Sequence, residues 1–201
     1  MIRSYVDPLV YRDLITNVVF LGAPCTGKST ISERLAQEFH TQWMPEYGRE
    51  YWERHQVNRR LSQKQLLEIA EGHIEQENAL LERANGYLFT DTNAITTATF
   101  ARYYHGRVDP RLAALADRAI TRYDLVFVCD INIPYKDTWD RSGEVNRAGF
   151  HRQVIGDLNQ RKVPFIILRG TLEERFAHVR SALDHFRKYD NVLELFDSAA
   201  P

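Results

Sequence analysis

Cysteine is scarce in this chain, with only Cys25 and Cys129 among 201 residues. Both lie beside apolar, strand-like runs, and no CxxC or Cys/His cluster accompanies them. Neither a disulfide framework nor a zinc site can be read from such a pair. Charge of one sign is not in excess either: 26 Lys and Arg stand against 27 Asp and Glu, a formal net charge of −1. That balance gives no general argument for nucleic acid or an acidic membrane as partner, and no basic tract stands out. No run of about 18 apolar residues exists, so nothing reads as a membrane-spanning helix. The opening MIRSYVDPLVYRDL carries charges throughout and lacks the apolar core of a secretory signal. A cytoplasmic chain is the default expectation.

What is present is alternation. Residues 1–16 read as an extension of mixed polarity with no clear period. NVVFLG (17–22) is β-branched and aromatic and stops at glycine, the pattern of a short buried strand. STISERLAQEFH (29–40) spaces Ile31, Leu35 and Phe39 as a helix does. TQWM (41–44) reads as a short second strand ended by Pro45, and a long helical pattern runs from Leu61 to Ala84. Ser62 with Gln65 forms a capping-box arrangement at its start. YLFTDT (87–92), DLVFVCD (124–130) and VPFIILRG (163–170) supply three further strands, separated by helical patterns over 93–105, 110–122 and 150–161, with a last helix over 171–186. Strands alternating with helices predict one α/β domain with a parallel sheet covered on both faces.

The first strand runs straight into GAPCTGKS, residues 22–29, which matches G-x-x-x-x-G-K-[ST] between a strand and a helix. Gly22 and Gly27 let the backbone turn sharply, so that the N–H groups of Ala23, Pro24's neighbours, Cys25, Thr26 and the residues up to Thr30 can close on phosphate oxygens. The helix beginning near Lys28 adds its positive dipole end. Lys28 is placed to reach β- and γ-phosphates, and Ser29 to ligate Mg²⁺. Cys25 reads as a small filler in this loop, with a redox handle as the alternative. No N-K-x-D stretch for reading guanine occurs, which makes ATP the expected nucleotide.

Ligands of doubly wound sheets sit beyond the carboxyl ends of the strands. Asp91 falls there after the third strand, where it can serve the Mg²⁺ side; it can also cap the following helix. Glu46 falls after the second strand. With Arg49, Glu50 and Glu53 it follows helical spacing, which suits either a solvated acidic stripe or a general base toward a substrate hydroxyl, oriented by Arg49. Residues 131–149 are polar and charged, with Asp137, Asp140, Arg141, Glu144 and Arg147. Arginine forks match a transferring phosphoryl group, so a moving lid is expected there, against a plain solvated loop.

GAPCTGKS, WMPEYGREYW, DTNAITTATFARYYHG and DTWDRSGEVNR together resemble the ribosylnicotinamide kinase domain that forms the carboxyl-terminal part of NadR-type NAD-biosynthesis proteins. The resemblance runs from about residue 17 to 190, leaving 191–201 as a tail. It implies a three-layer P-loop kinase fold, with a five-stranded sheet ordered 2-3-1-4-5, helices on both faces and a lid. It implies ATP and Mg²⁺ as cofactors, and transfer of the γ-phosphoryl to the 5′-hydroxyl of nicotinamide riboside. Lys28 and Ser29 would serve phosphates and metal, Glu46 and Asp91 would fall on the carboxylate positions, Arg49 on the substrate side, and Arg141 and Arg147 in the lid over ATP. Only a short extension precedes residue 17, so a second activity or a regulatory role finds no support in this sequence.

That reading gives the aromatic cluster WMPEYGREYW a use, because the nicotinamide ring of the riboside is a flat cation and aromatic faces attract cations by about 0.5–2 kcal/mol. Trp43 and Tyr47 are the expected substrate neighbours, with Trp52 left to packing. Asn93 and Thr96 are expected either to bond ribose hydroxyls or to cap their helix. Tyr104 is a weaker pocket candidate than these. A kinase for another nucleoside or metabolite, and an ATP-sensing module without acceptor turnover, stay open beside the leading reading. A nucleic-acid end kinase would want a basic groove, which the balanced charge does not offer.

Overall fold

The run Val18-Val19-Phe20-Leu21 is wholly buried, as a central strand covered on both faces must be. The computed structural model describes residues 8–55, 60–133 and 147–189. Five strands, β1 (Thr16–Leu21), β2 (Gln42–Met44), β3 (Tyr87–Asp91), β4 (Leu125–Cys129) and β5 (Ile166–Leu168), pair in parallel in the order β2-β3-β1-β4-β5. Helices α1 (Pro8–Leu14), α2 (Lys28–Glu38), α3 (Tyr47–His55), α4 (Gln63–Leu81), α5 (Ala94–His105), α6 (Pro110–Arg118), α7 (Arg147–Gln160) and α8 (Leu172–His185) surround the sheet, and a 3₁₀ turn spans Ala119–Thr121. Strand alternation splits the core in two. Val19, Leu21, Val126 and Val128 face α4, α5, α6 and α7, whereas Val18, Phe20, Phe127 and Cys129 face α2 and α8.

Four of the eight described helices have starts closed by side chains. Ser62 and Gln65 form the expected capping box on α4, and Thr171 and Glu174 form a second on α8. Asn93 caps α5 and Asp109 caps α6. Helix α2 differs: Gly27 stands at its N-cap in the left-handed region, φ 83°, with no side-chain cap and no acidic residue in the first turn. Its leading N–H groups are therefore available to an outside anion.

Two sequence expectations need revision. Pro8–Leu14, inside the expected aperiodic extension, is helical. It is fastened by Tyr11 Oη donating to the Ala84 carbonyl at 3.1 Å and by Arg12 donating to Asn78 at 2.7 Å. These ties span distant parts of the chain, so no local period announces them. Helix α7 also begins earlier than Phe150, at Arg147. Residues 134–146, with Arg141 and most of the expected lid, lie outside the described residues. Among the described residues no helix is long and apolar enough to cross a membrane.

Candidate active site

The turn after β1 requires glycine. Gly22 has φ +133°, and a Cβ there would lie 2.6 Å from the Cys129 carbonyl oxygen. Thr26 Oγ1 donates to the Ala23 carbonyl at 2.8 Å and Lys28 Nζ donates to the same oxygen at 3.0 Å, so the loop is stitched to itself. Cys25, Thr26, Gly27, Lys28, Ser29 and Thr30 line a hollow at the bare start of α2, with Arg49 on its rim. Arg147 reaches this loop from α7, donating to the Cys25 carbonyl at 2.9 Å and the Ile133 carbonyl at 2.8 Å. The buried Cys129 thiol beneath is pushed up to about 11 by burial, which leaves it inert.

Register sets the neighbouring carboxylate. Phe20 pairs with Asp91 across β1 and β3, which brings the wholly buried Asp91 level with the start of the loop. Ser29 Oγ donates to Asp91 Oδ2 at 2.5 Å. One hydroxyl and one carboxylate, oxygen donors only, suit Mg²⁺, which takes one or two protein oxygens and keeps its other positions for water and phosphate. The next residue, Thr92, is β-branched yet has φ 68°. Its N–H donates to the Phe20 carbonyl at 3.0 Å, which holds this strained turn in place.

A second cavity adjoins the first. Lys28 and Arg49 line both and mark their junction. Its walls come from α3, α4 and α5, and their packing orders it from end to end. Gln63 donates to the Arg107 carbonyl at 2.7 Å and accepts from the Asp109 N–H at 3.0 Å, so the start of α4 meets the end of α5. Thr90 Oγ1 donates to Glu77 at 3.3 Å, which returns the far part of α4 to the end of β3. Of the lining residues, Glu46, Thr92 and Thr96 follow closely on the ends of β2 and β3 beside the phosphate loop, with His73 toward the β3 side of α4, whereas Leu61 and Leu66 belong to the start of α4, Phe100 and Tyr104 to the later part of α5, and Trp52 to the later part of α3. One end is polar, the other apolar and aromatic.

The structure does not bring Trp43 or Tyr47 to this cavity. Trp43 packs on the opposite face of the sheet, in the α2–α8 core, and its Nε1 donates to Ser32 Oγ at 3.0 Å. Tyr47 lies against α4, where a Cβ on Gly72 would fall 2.5 Å from its ring. Trp52, expected to be packing, lines the cavity instead. The reason is helical phase: Gly48, Arg49 and Trp52 share the cavity-facing side of α3, while Tyr47 and Tyr51 share the side against α4. Asn93 spends its side-chain oxygen on the Ile95 N–H at 3.0 Å, the capping alternative. Sequence reasoning misses His73 and Arg175. His73 occupies the buried stripe of α4 with Leu66 and Ile69, and Arg175 the buried stripe of α8 with Phe176 and Val179. A polar residue on an apolar stripe is the available signal.

His73 makes stability depend on pH. Burial pushes its imidazole below the ordinary value of 6.5; nearby Arg122 acts in the same direction, while Glu77 and Glu46 oppose. Burial also lowers His151, with Asp130 opposing and Arg147 and Arg169 assisting. In both cases the unfolded chain takes up protons at higher pH than the folded chain does. Stability is therefore highest above about pH 6.5 and falls below it, before ordinary carboxylates titrate. The urea midpoint is expected to be lower at pH 5.5 than at pH 7.5, with the difference reduced in His73→Gln; equal midpoints in the unsubstituted protein would contradict this.

Strand order, glycine turn, uncapped helix start and the Ser29–Asp91 pair together define a P-loop kinase fold. Within that class, the chain belongs to the AAA domain family, whose model matches residues 17–175. It is similar to the trifunctional NAD biosynthesis/regulator protein NadR of Salmonella typhimurium (strain LT2) and of Escherichia coli (strain K12), each 31% identical over 167 residues. The matched region is 81% of this chain but 40% of either relative, so the chain spans about two fifths of their length. Among solved structures, NadR in complex with NR aligns with TM-score 0.74 and 23% identity, covering 94% of this chain and 56% of that one. NadR in complex with NAD and AMP-PNP gives 0.75 and 23%, covering 92% and 52%. Deoxyadenosine kinase from M. mycoides gives 0.60 and 14%, covering 86% and 100%.

Proposed function

We propose that this chain is an ATP-dependent kinase that phosphorylates the 5′-hydroxyl of nicotinamide riboside, giving nicotinamide mononucleotide. The observation that carries the reading is the two-ended cavity opening onto the phosphate hollow. A riboside has the same polarity: a hydroxylated sugar next to the reacting alcohol and a flat ring beyond it. The ring is cationic, and Trp52, Phe100 and Tyr104 at the outer end offer it aromatic faces. Similarity to NadR, and solved NadR structures bound to NR and to NAD with AMP-PNP, agree with this acceptor and donor.

The loop from Gly22 to Thr30 holds the ATP phosphates, with Lys28 at the β- and γ-phosphates. Ser29 and Asp91 would hold Mg²⁺, which would neutralise charge on the phosphate oxygens. Glu46 receives the proton of the 5′-hydroxyl as that oxygen bonds to the γ-phosphorus and the bridge to ADP breaks. Arg49, at the junction of the two cavities, offers its guanidinium to the phosphoryl group in flight. Arg147 supports the loop through the Cys25 carbonyl.

Purified protein with ATP, Mg²⁺ and a panel of ribosides tests this. Nicotinamide riboside is expected to gain one phosphoryl group by mass, with ADP release depending on its presence. Glu46→Gln is expected to lower kcat roughly 10²–10⁴-fold with a smaller change in KM. ATP turnover indifferent to every riboside, or full activity in Glu46→Gln, would defeat the reading.

A further inference from the structure

Two polar atoms of the residues lining the proposed acceptor cavity, His73 Nε2 and Thr96 Oγ1, are buried without a hydrogen-bond partner among the described residues. Their residues are 4% and 3% exposed, and both line the cavity. An unmet buried polar atom costs about 1–3 kcal/mol, and native interiors hold few. Here two such atoms, from α4 and α5, meet in one hollow. Asn93 Nδ2, at the cap of α5, also lacks a partner among the described residues, but Asn93 does not line this cavity, and Glu77 takes the Arg122 guanidinium at 2.5 Å. The unmet pair is therefore local to the cavity and points to its ligand.

Chemistry narrows that ligand group. A neutral imidazole nitrogen either donates or accepts, and a threonine hydroxyl does both. An alcohol, which also donates and accepts, answers both whichever tautomer His73 adopts; a methylene can answer neither. Thr96 lies in the first turn of α5, just past β3, and His73 in the half of α4 that returns to β3, so both belong to the end of the cavity next to the phosphate loop. In the reading above, that is where the sugar lies.

We propose that His73, together with Thr96, reads a secondary hydroxyl of the acceptor's ribose and makes the site selective for ribosides over deoxyribosides. This rests on the proposed riboside kinase activity. His73 is a specificity-determining residue in this scheme, distinct from the proton acceptor Glu46. A site built around a substrate hydroxyl can reject an analogue lacking it by up to about 10⁴–10⁵-fold, because its own polar groups are then left unpaired.

The test compares nicotinamide riboside with its 2′-deoxy and 3′-deoxy analogues, by kcat/KM and by calorimetric binding without nucleotide. The unsubstituted protein is expected to prefer the riboside over at least one deoxy analogue by about 10²-fold or more. In His73→Phe and in the near-isosteric Thr96→Val, that preference is expected to shrink to about tenfold or less, through loss on the riboside and not on the deoxy analogue. General damage to the fold would lower all three acceptors alike, so the change in ratio separates reading from support. Equal use of all three acceptors by the unsubstituted protein would overturn the inference and leave the kinase activity standing. So would an unchanged ratio in whichever of the two variants folds. Failure of the unsubstituted protein to bind or phosphorylate any riboside would remove the proposed function, and this inference with it.

Discussion

Lys28→Ala is expected to reduce phosphoryl transfer about 10³-fold while leaving the chain folded. The loss follows from position: Lys28 lines both hollows, so in the proposed reaction its ammonium would stand where the transferring group gathers negative charge. Removing one preorganised donor from such a place costs about 10²–10³ in kcat, and a full charge belongs at the upper end. The fold loses much less. Lys28 Nζ donates to the Ala23 carbonyl, one hydrogen bond of about 1 kcal/mol, and alanine is the best helix former for the first residue of α2. Rate and unfolding should therefore part company: steady-state kinetics collapse, while the melting temperature moves by a few degrees. An active Lys28→Ala protein would remove the assignment of the phosphate loop.

Arg175→Met is expected to act in the opposite order, on the fold first. Arg175 is wholly buried, and its guanidinium donates to the carbonyls of Thr26 at 2.8 Å, Asp130 at 2.9 Å and Gly170 at 3.1 Å, and to Asn132 Oδ1. One side chain thus joins the phosphate loop to the ends of β4 and β5. Methionine fills a similar volume but donates nothing, leaving several carbonyls unmet at about 1–3 kcal/mol each. The summed cost, reduced by relaxation, is roughly 3–5 kcal/mol. Against a total stability of about 5–15 kcal/mol, that lowers the melting temperature by roughly 10 °C for a domain of this size. ATP affinity should weaken in parallel, since Thr26 loses its tether. A shift below about 1 kcal/mol in denaturant titration would show that the bonds around Arg175 are not a keystone.

The parts of this molecule legible in sequence are those encoded by neighbours along the chain. The phosphate loop is contiguous from Gly22 to Ser29, and the apolar runs over 18–21 and 125–129 mark fully covered strands without further help. The capping box Ser62–Gln65 is likewise local. The acceptor cavity is not local. Which side of α3 faces it depends on how that helix docks on α4, and this docking exchanges the expected places of Trp52 and Tyr47. Trp43 sits on a strand of three residues, Gln42–Met44, too short for alternation to reveal its face. His73 and Arg175 are hidden for a different reason. Each is one polar residue in an apolar stripe, a pattern that an ordinary satisfied core residue produces equally well. Only the three-dimensional partners separate them: among the described residues, none for His73 Nε2 and four oxygens for Arg175.

The wall shared by the two hollows, built from Lys28 and Arg49, has a stereochemical corollary. In the proposed reaction donor and acceptor would meet where Lys28 and Arg49 line both hollows, with no need for a phosphorylated side chain between them. The group can pass in a single displacement within a ternary complex, so a chiral thiophosphoryl donor should yield product inverted at phosphorus.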